Sequence, residues 1–247
     1  LTVEDYLSKV EAKDKTLASC LTYGVIERKL TLDFLINKFV NGRLKPKVRV
    51  ILYLGAYQLY FMDKIPSSAA VNESVKLSKE VGVSYYSKLI NAVLHKIDDN
   101  RIDINSIDDL EVKYSCPINL INMWIKAYGE SNTVSMLEAI NNKPPVFAVP
   151  NTLFVDAEEC LYELNSLNIE GEHVGDILML KSSFDLNSCK PFHNGLFHIE
   201  DLSSYNCASA LDVKSGDTVI DVCSAPGGKA FTIAEKMNNQ GMIYAMD

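Results

Sequence analysis

The 247-residue chain is 47% hydrophobic and 23% charged, ordinary globular composition with length for two domains or one large one. It has no run of about eighteen uninterrupted apolar residues, and "LTVEDYLSKV" offers neither a basic n-region nor an apolar h-region, so no membrane span or signal peptide is expected and a cytoplasmic location is. The net charge of -8 is uneven: 15 Lys and Arg stand against 11 acids in residues 1–100, and 9 against 21 in residues 101–247, so the two halves are expected to face different partners.

The first 140 residues read as helices. "DKTLASCLTYGVIERKL" sets Leu17, Cys20, Leu21, Tyr23, Gly24 and Val25 among polar residues at helical spacing, and "LDFLINKFV" follows with Asn41-Gly42 as its stop. "KPKVRVILYLGAYQLYFM" has Pro46 in its first turn and is apolar nearly all round from Val48 to Met62, the pattern of a central helix. "PSSAAVNESVKLSKEVG" is predicted to be capped by Ser67 or Ser68 and stopped by Gly82, and "SYYSKLINAVLHKI" makes the next helix. "PINLINMWIKAYG" and "NTVSMLEAINN" complete the series, which Pro144-Pro145 ends. Trp124 and the stripe from Leu52 to Tyr60 are expected in the core. No acid lies between Asp33 and Asp63, while Lys38, Arg43, Lys45, Lys47 and Arg49 do, making either a solvated face or an RNA-binding patch.

From Val146 the period changes. "VFAVPNTLF", "DILMLK" and "GLFHIE" read as strands around a helix at "DAEECLYELNSL", a small α+β unit. "SSYNCASALD" reads as a helix leading through "VKSGD" into the strand "TVIDVCS", the loop Ser224, Ala225, Pro226, Gly227, Gly228, a helix, and the strand "MIYAMD". That is one βαβ unit. Its loop presents backbone amides at the positive end of a helix, and glycine lets a ligand approach the backbone. Asp247, at the tip of the second strand, stands where nucleotide-binding folds put the acid that holds ribose hydroxyls. The loop departs from GxGxxG, which counts against NAD.

The six cysteines contain no CxxC pair, so no disulfide scaffold or zinc site is expected, and His95, His173, His193 and His198 show no ligand spacing. Cys223 could pass for a nucleophile, but with no nearby His a small residue packed at a strand end is the better reading; Lys229 is a ligand neighbour or a solvated first-turn lysine.

"DVCSAPGGK" resembles motif I of S-adenosylmethionine-dependent RNA (cytosine-5) methyltransferases, and "GLFHIEDLSS" resembles the segment before it; ribose methyltransferases with an APGG loop differ at Cys223 and Lys229. "KPKVRVILYLGAYQLYFMDKIPSSAAVNESVKLSK" resembles the NusB-type RNA-binding domain fused to the bacterial RsmB (Sun/Fmu) branch. The resemblance implies a multi-domain chain: an all-α NusB-like domain at 1–143, a small α+β connector at 144–203, and at 204–247 the start of an α/β Rossmann-like methyltransferase domain. It implies methylation of C5 of a cytosine in small-subunit ribosomal RNA, with Cys223, Ser224, Ala225, Pro226, Gly227, Gly228 and Lys229 lining S-adenosylmethionine and Asp247 holding its ribose. The family's catalytic cysteine is expected beyond Asp247, so this chain, whose first residue is Leu, is expected to be an inactive piece of a longer one. A non-catalytic NusB-type protein binding RNA or a transcription complex is the alternative. Val149-Pro150-Asn151-Thr152 departs from the family pattern, so a basic RNA contact is expected to be missing or moved, and Leu202 stands where the family commonly has an acidic residue. A lone βαβ unit leaves strand edges and faces open, which the α+β unit, another copy or later residues are expected to cover.

Overall fold

The protein is described from a computed structural model covering residues 2–142, 144–182 and 184–247. It divides into two compact units, Leu1–Asn142 and Lys143–Asp247.

The first unit is all helical: α1 Val3–Leu7, α2 Ala12–Glu27, α3 Lys29–Asn37, α4 Pro46–Phe61, α5 Ser67–Glu80, α6 Ser87–Asp99, α7 Leu110–Tyr114, α8 Ile118–Tyr128 and α9 Glu130–Ile140. The apolar stretch in α4 does make it central: Val48, Ile51, Leu52, Tyr53, Ala56, Tyr57 and Leu59 are buried in one cluster with Leu32 and Ile36 of α3, Ala70 and Val71 of α5, and Ile90, Leu94 and Ile97 of α6. Gly55 permits the close approach. A Cβ there would lie 2.6 Å from a Leu94 methyl and 2.8 Å from the Ser74 hydroxyl. A smaller cluster joins Tyr114, Ile121 and Leu137, with Trp124 packed against it.

Three local details differ from expectation. Pro66, not Ser67 or Ser68, is the N-cap of α5, with no side-chain cap, and the Ser67 hydroxyl instead donates to Asp98 at 3.0 Å. Gly82 is one residue beyond the C-cap Val81, at φ +77°, where a left-handed residue commonly ends a helix. The segment before α6 is a separate 3-10 turn at Ser84–Tyr86.

The second unit holds β1 Val146–Pro150, α10 Ala157–Ser166, β2 Gly171–Val174, β3 Ile177–Leu180, α11 Lys190–His193, β4 Phe197–Ile199, α12 Leu202–Ser209, β5 Thr218–Asp221, α13 Gly228–Lys236 and β6 Met242–Ala245. β1 to β4 form one antiparallel sheet in the order β2-β3-β1-β4, with Val149 opposite His198 and Phe147 opposite Met179. β5 and β6 form a separate parallel pair, Val219 opposite Ile243. The parallel pair is thus a βαβ unit, as the pattern implied. One face packs Val219 and Ile243 against Ala208 of α12 and Ile233 and Met237 of the α13 end. The other face carries Ile220, Val222, Tyr244 and Met246, all half or more exposed, so the antiparallel sheet does not cover it.

Candidate functional site

The loop between β5 and α13 is built by its glycines and by two backbone bridges. The Cys223 amide donates to Asp221 Oδ1 at 3.3 Å, turning the chain off the strand. The Ser224 amide donates to the Met246 carbonyl at 3.0 Å, and the Met246 amide to the Asp221 carbonyl at 2.8 Å. These bridges extend the parallel ladder past its last paired residues and set the loop beside the segment that ends at Asp247. Gly227 caps α13 at φ +112°, ψ -7°, a conformation that side chains with a Cβ rarely adopt. A Cβ on it would lie 3.1 Å from the Phe231 ring, and one on Gly228 would lie 3.1 Å from the Glu200 side chain. Cys223, Ala225, Pro226 and Asp247 are exposed, and Ser224, Gly227, Gly228 and Lys229 partly so.

The loop therefore lies at the carboxyl ends of two parallel strands, where open α/β sheets bind ligands. The first amides of a nine-residue helix, which lack intrahelical partners, face the same end. The residues fit a zwitterionic nucleoside ligand: an exposed loop, amides for a carboxylate, and the exposed Asp247 carboxylate for hydroxyls. Asp221 Oδ2 is buried beneath the loop without a hydrogen-bond partner.

Behind the loop lies a buried polar cluster that sequence reading missed. Glu200, just after β4, is 5% exposed; its Oε2 accepts from the Thr232 hydroxyl at 2.7 Å and lies 3.3 Å from His198 Nε2. His198 Nδ1 lies 3.6 Å from Glu235 Oε1, and the His198 ring meets Phe231 edge-on at 5.5 Å. Burial pushes the Glu235 carboxyl up to about 7; the Thr152 amide pulls it down, and the Glu200 charge adds to the rise. Burial also lowers the pKa of His198, opposed by Glu200. The available signal was the alternation in "FHIE", which puts His198 and Glu200 on one strand face, and the polar Thr232 and Glu235 three apart on the helix face that should be apolar. A cavity of about 400 Å³ opens beside this cluster, lined by Phe154, Phe192, Phe197 and Phe231.

The cysteines divide by environment. Burial pushes the Cys160 thiol up to about 12 and also raises Cys116, so neither is held as a thiolate. Cys20 lies 3.9 Å from the Tyr57 hydroxyl, whose pKa burial raises to about 12. Cys223, expected to pack at the strand end, is instead exposed on the loop two residues beyond β5.

The five basic residues do not form one surface in equal measure. Arg49 is an ion-pair partner of Asp33: its Nε donates to Asp33 Oδ1 at 3.0 Å, its guanidinium also to Asn37 at 3.0 Å, and the Tyr53 hydroxyl joins Asp33 at 2.5 Å. Burial raises the Asp33 pKa, but Tyr53, Arg49 and Lys29 together outweigh it and hold the carboxyl below its usual value. Lys38 Nζ lies 4.6 Å from the Phe34 ring centroid. Lys45 and Lys47 reach the turn between α5 and α6, Lys45 over the Tyr86 ring at 5.5 Å and Lys47 donating to the Val81 carbonyl at 3.1 Å. Arg43 is exposed in the loop before α4. Among the described residues no group of three or more His, Cys, Asp or Glu could hold a metal ion, and no helix is long and apolar enough to cross a membrane.

Comparison with known proteins matches both parts. Residues 2–99 fit the NusB family and residues 208–247 fit the family described as 16S rRNA methyltransferase RsmB/F. The chain is 33% identical over 95% of its length to the probable ribosomal RNA small subunit methyltransferase B of Synechocystis sp. and 32% identical over 97% to that of Bacillus subtilis. It covers 55% and 56% of those proteins, so the chain spans about half the length of the curated relatives it matches. The crystal structure of PH0851 superimposes with a TM-score of 0.72 at 26% identity, over 97% of this chain and 56% of that one.

Proposed function

We propose, from the premise that this chain belongs to the 16S rRNA methyltransferase RsmB/F family, that it supplies RNA-binding and cofactor-holding parts of an enzyme methylating C5 of a cytosine in small-subunit ribosomal RNA. The observation that carries this reading is the loop from Cys223 to Lys229, stitched through Ser224 and Met246 to the segment ending in Asp247.

S-adenosylmethionine, when bound, supplies an electrophilic methyl group. The amides at the start of α13 would hold its carboxylate and the Asp247 carboxylate would accept from its ribose hydroxyls, while Gly227 and Gly228 let the loop close against Phe231 and Glu200. Cys223 would line this cradle. The chain also presents the exposed basic residues Lys38, Arg43, Lys45 and Lys47 to RNA phosphates, while Arg49 is paired with Asp33.

Methyl transfer to C5 needs a nucleophile that first adds to C6, because C5 of cytosine carries too little electron density by itself. We place the attacking cysteine, as the family resemblance implies, in the part of the relatives' length that this chain does not span. The proposal keeps the limits that the resemblance implies: a helical RNA-binding domain at 1–143, a connector at 144–203 and the methyltransferase start at 204–247, acting in the cytoplasm. Incubating small-subunit ribosomal RNA with methyl-labelled cofactor tests this. A full-length relative should label cytosine C5 and this chain alone should not; labelling by this chain alone overturns the assignment of the nucleophile.

A further inference from the structure

Tyr85 is 90% exposed. An isolated exposed tyrosine is ordinary, but this one is braced and surrounded. Its ring meets Tyr86 edge-on, 5.3 Å between centroids at 83°, and Tyr86 in turn lies under Lys45 Nζ at 5.5 Å. Lys47 Nζ is fixed to the Val81 carbonyl at the end of α5 by a 3.1 Å hydrogen bond. Two lysines from the start of α4 are thereby brought, across a long stretch of sequence, to the turn that holds Tyr85 outward. Residues 79–88 add Lys79 and Lys88 against one acid, Glu80. Tyr162, also 75% exposed, shows the contrast: Glu158, Glu159 and Glu163 share its surface, which suits no polyanion.

We propose that this turn is a stacking platform for an unpaired base of single-stranded RNA, with Tyr85 supplying the ring and Lys45 and Lys47 meeting the flanking phosphates. Stacking on an aromatic ring accepts any base, because each has a π face, and lysines beside the ring track the backbone. The inference rests on the RNA-binding reading above and deepens it by naming strand type and binding mode.

The test measures affinity of the full 247-residue chain for a fluorescein-labelled oligouridine of about 12 nucleotides and for an RNA duplex of about 12 base pairs, across a salt series. Tyr85→Ala should weaken single-strand binding about tenfold, with the salt slope unchanged, and Tyr85→Phe should stay within about twofold of the parent. Lys45→Ala with Lys47→Ala should lower the slope of log K against log salt by about 1.4, or roughly 0.7 for each phosphate no longer neutralised. The duplex should bind more weakly and ignore Tyr85. If the parent binds oligouridine and Tyr85→Ala binds as well, stacking is wrong while RNA binding stands, and the surface is left to a protein partner. If Tyr85→Phe loses as much as Tyr85→Ala, the hydroxyl rather than the ring is used and stacking is again wrong. If the parent binds neither RNA at low salt, the RNA reading itself fails.

Discussion

The Ser224 amide donates to the Met246 carbonyl at 3.0 Å, so the glycine loop and the segment that runs on from β6 to Asp247 are one piece of backbone architecture. The carboxylate proposed for the ribose and the amides proposed for the methionine end are held by neighbouring strands of a single parallel ladder.

Gly227 carries both conformational and steric demands. Alanine there would meet backbone strain at φ +112° and a Phe231 ring 3.1 Å from its Cβ, whereas Gly216, at φ +95°, has nothing within 4 Å of the same position. Both substitutions should cost about 1–2 kcal/mol of strain. Gly227→Ala should cost more than Gly216→Ala in urea unfolding; equal losses would show that Phe231 yields freely.

Much of this was legible in the sequence, for identifiable reasons. The apolar run of α4 and the strand-loop-helix pattern around Gly227 are long or chemically distinctive. The five-residue α7 and the strand β2, "GEHV", carry too few apolar positions to show a period, and β2 exists through pairing with β3, Glu172 opposite Met179. Tyr85 was unreadable because its neighbours in sequence say nothing of exposure. The same holds for Arg49, whose role is set by an acid sixteen residues away.

Arg49→Ala should therefore act on stability. Removing it leaves a partly buried Asp33 with the Tyr53 hydroxyl and Lys29 as remaining partners, a loss of about 1–3 kcal/mol. Thermal unfolding should register the change, while the salt slope of RNA binding should be unaltered. A stable Arg49→Ala protein with a lower slope would return Arg49 to the RNA surface.

Glu235 gives the second unit a pH signature. Its folded pKa of about 7 lies above the ordinary carboxylate value, so the folded state binds the extra proton between about 4.5 and 7. Stability from this group is thus lost as pH rises through that window, on the order of 3 kcal/mol at most at about 1.4 kcal/mol per unit. His198 works in the opposite sense, its lowered pKa costing stability as pH falls through the ordinary histidine range. Glu235→Gln keeps the shape and removes the charge. It should be more stable than the parent at about pH 8 and equal to it near about pH 4; parallel curves across that range would show that Glu235 ionises freely in the folded protein.

The central claim is that the Cys223–Lys229 loop and Asp247 together hold S-adenosylmethionine. Saturation-transfer NMR with the cofactor and this chain tests it most directly, because it detects weak complexes. Transfer to the ribose and methionine protons is expected, reduced at least several-fold in Asp247→Ala for the ribose and in Gly227→Ala for the methionine end. Absence of transfer in the parent chain, or transfer that neither substitution alters, would contradict the claim.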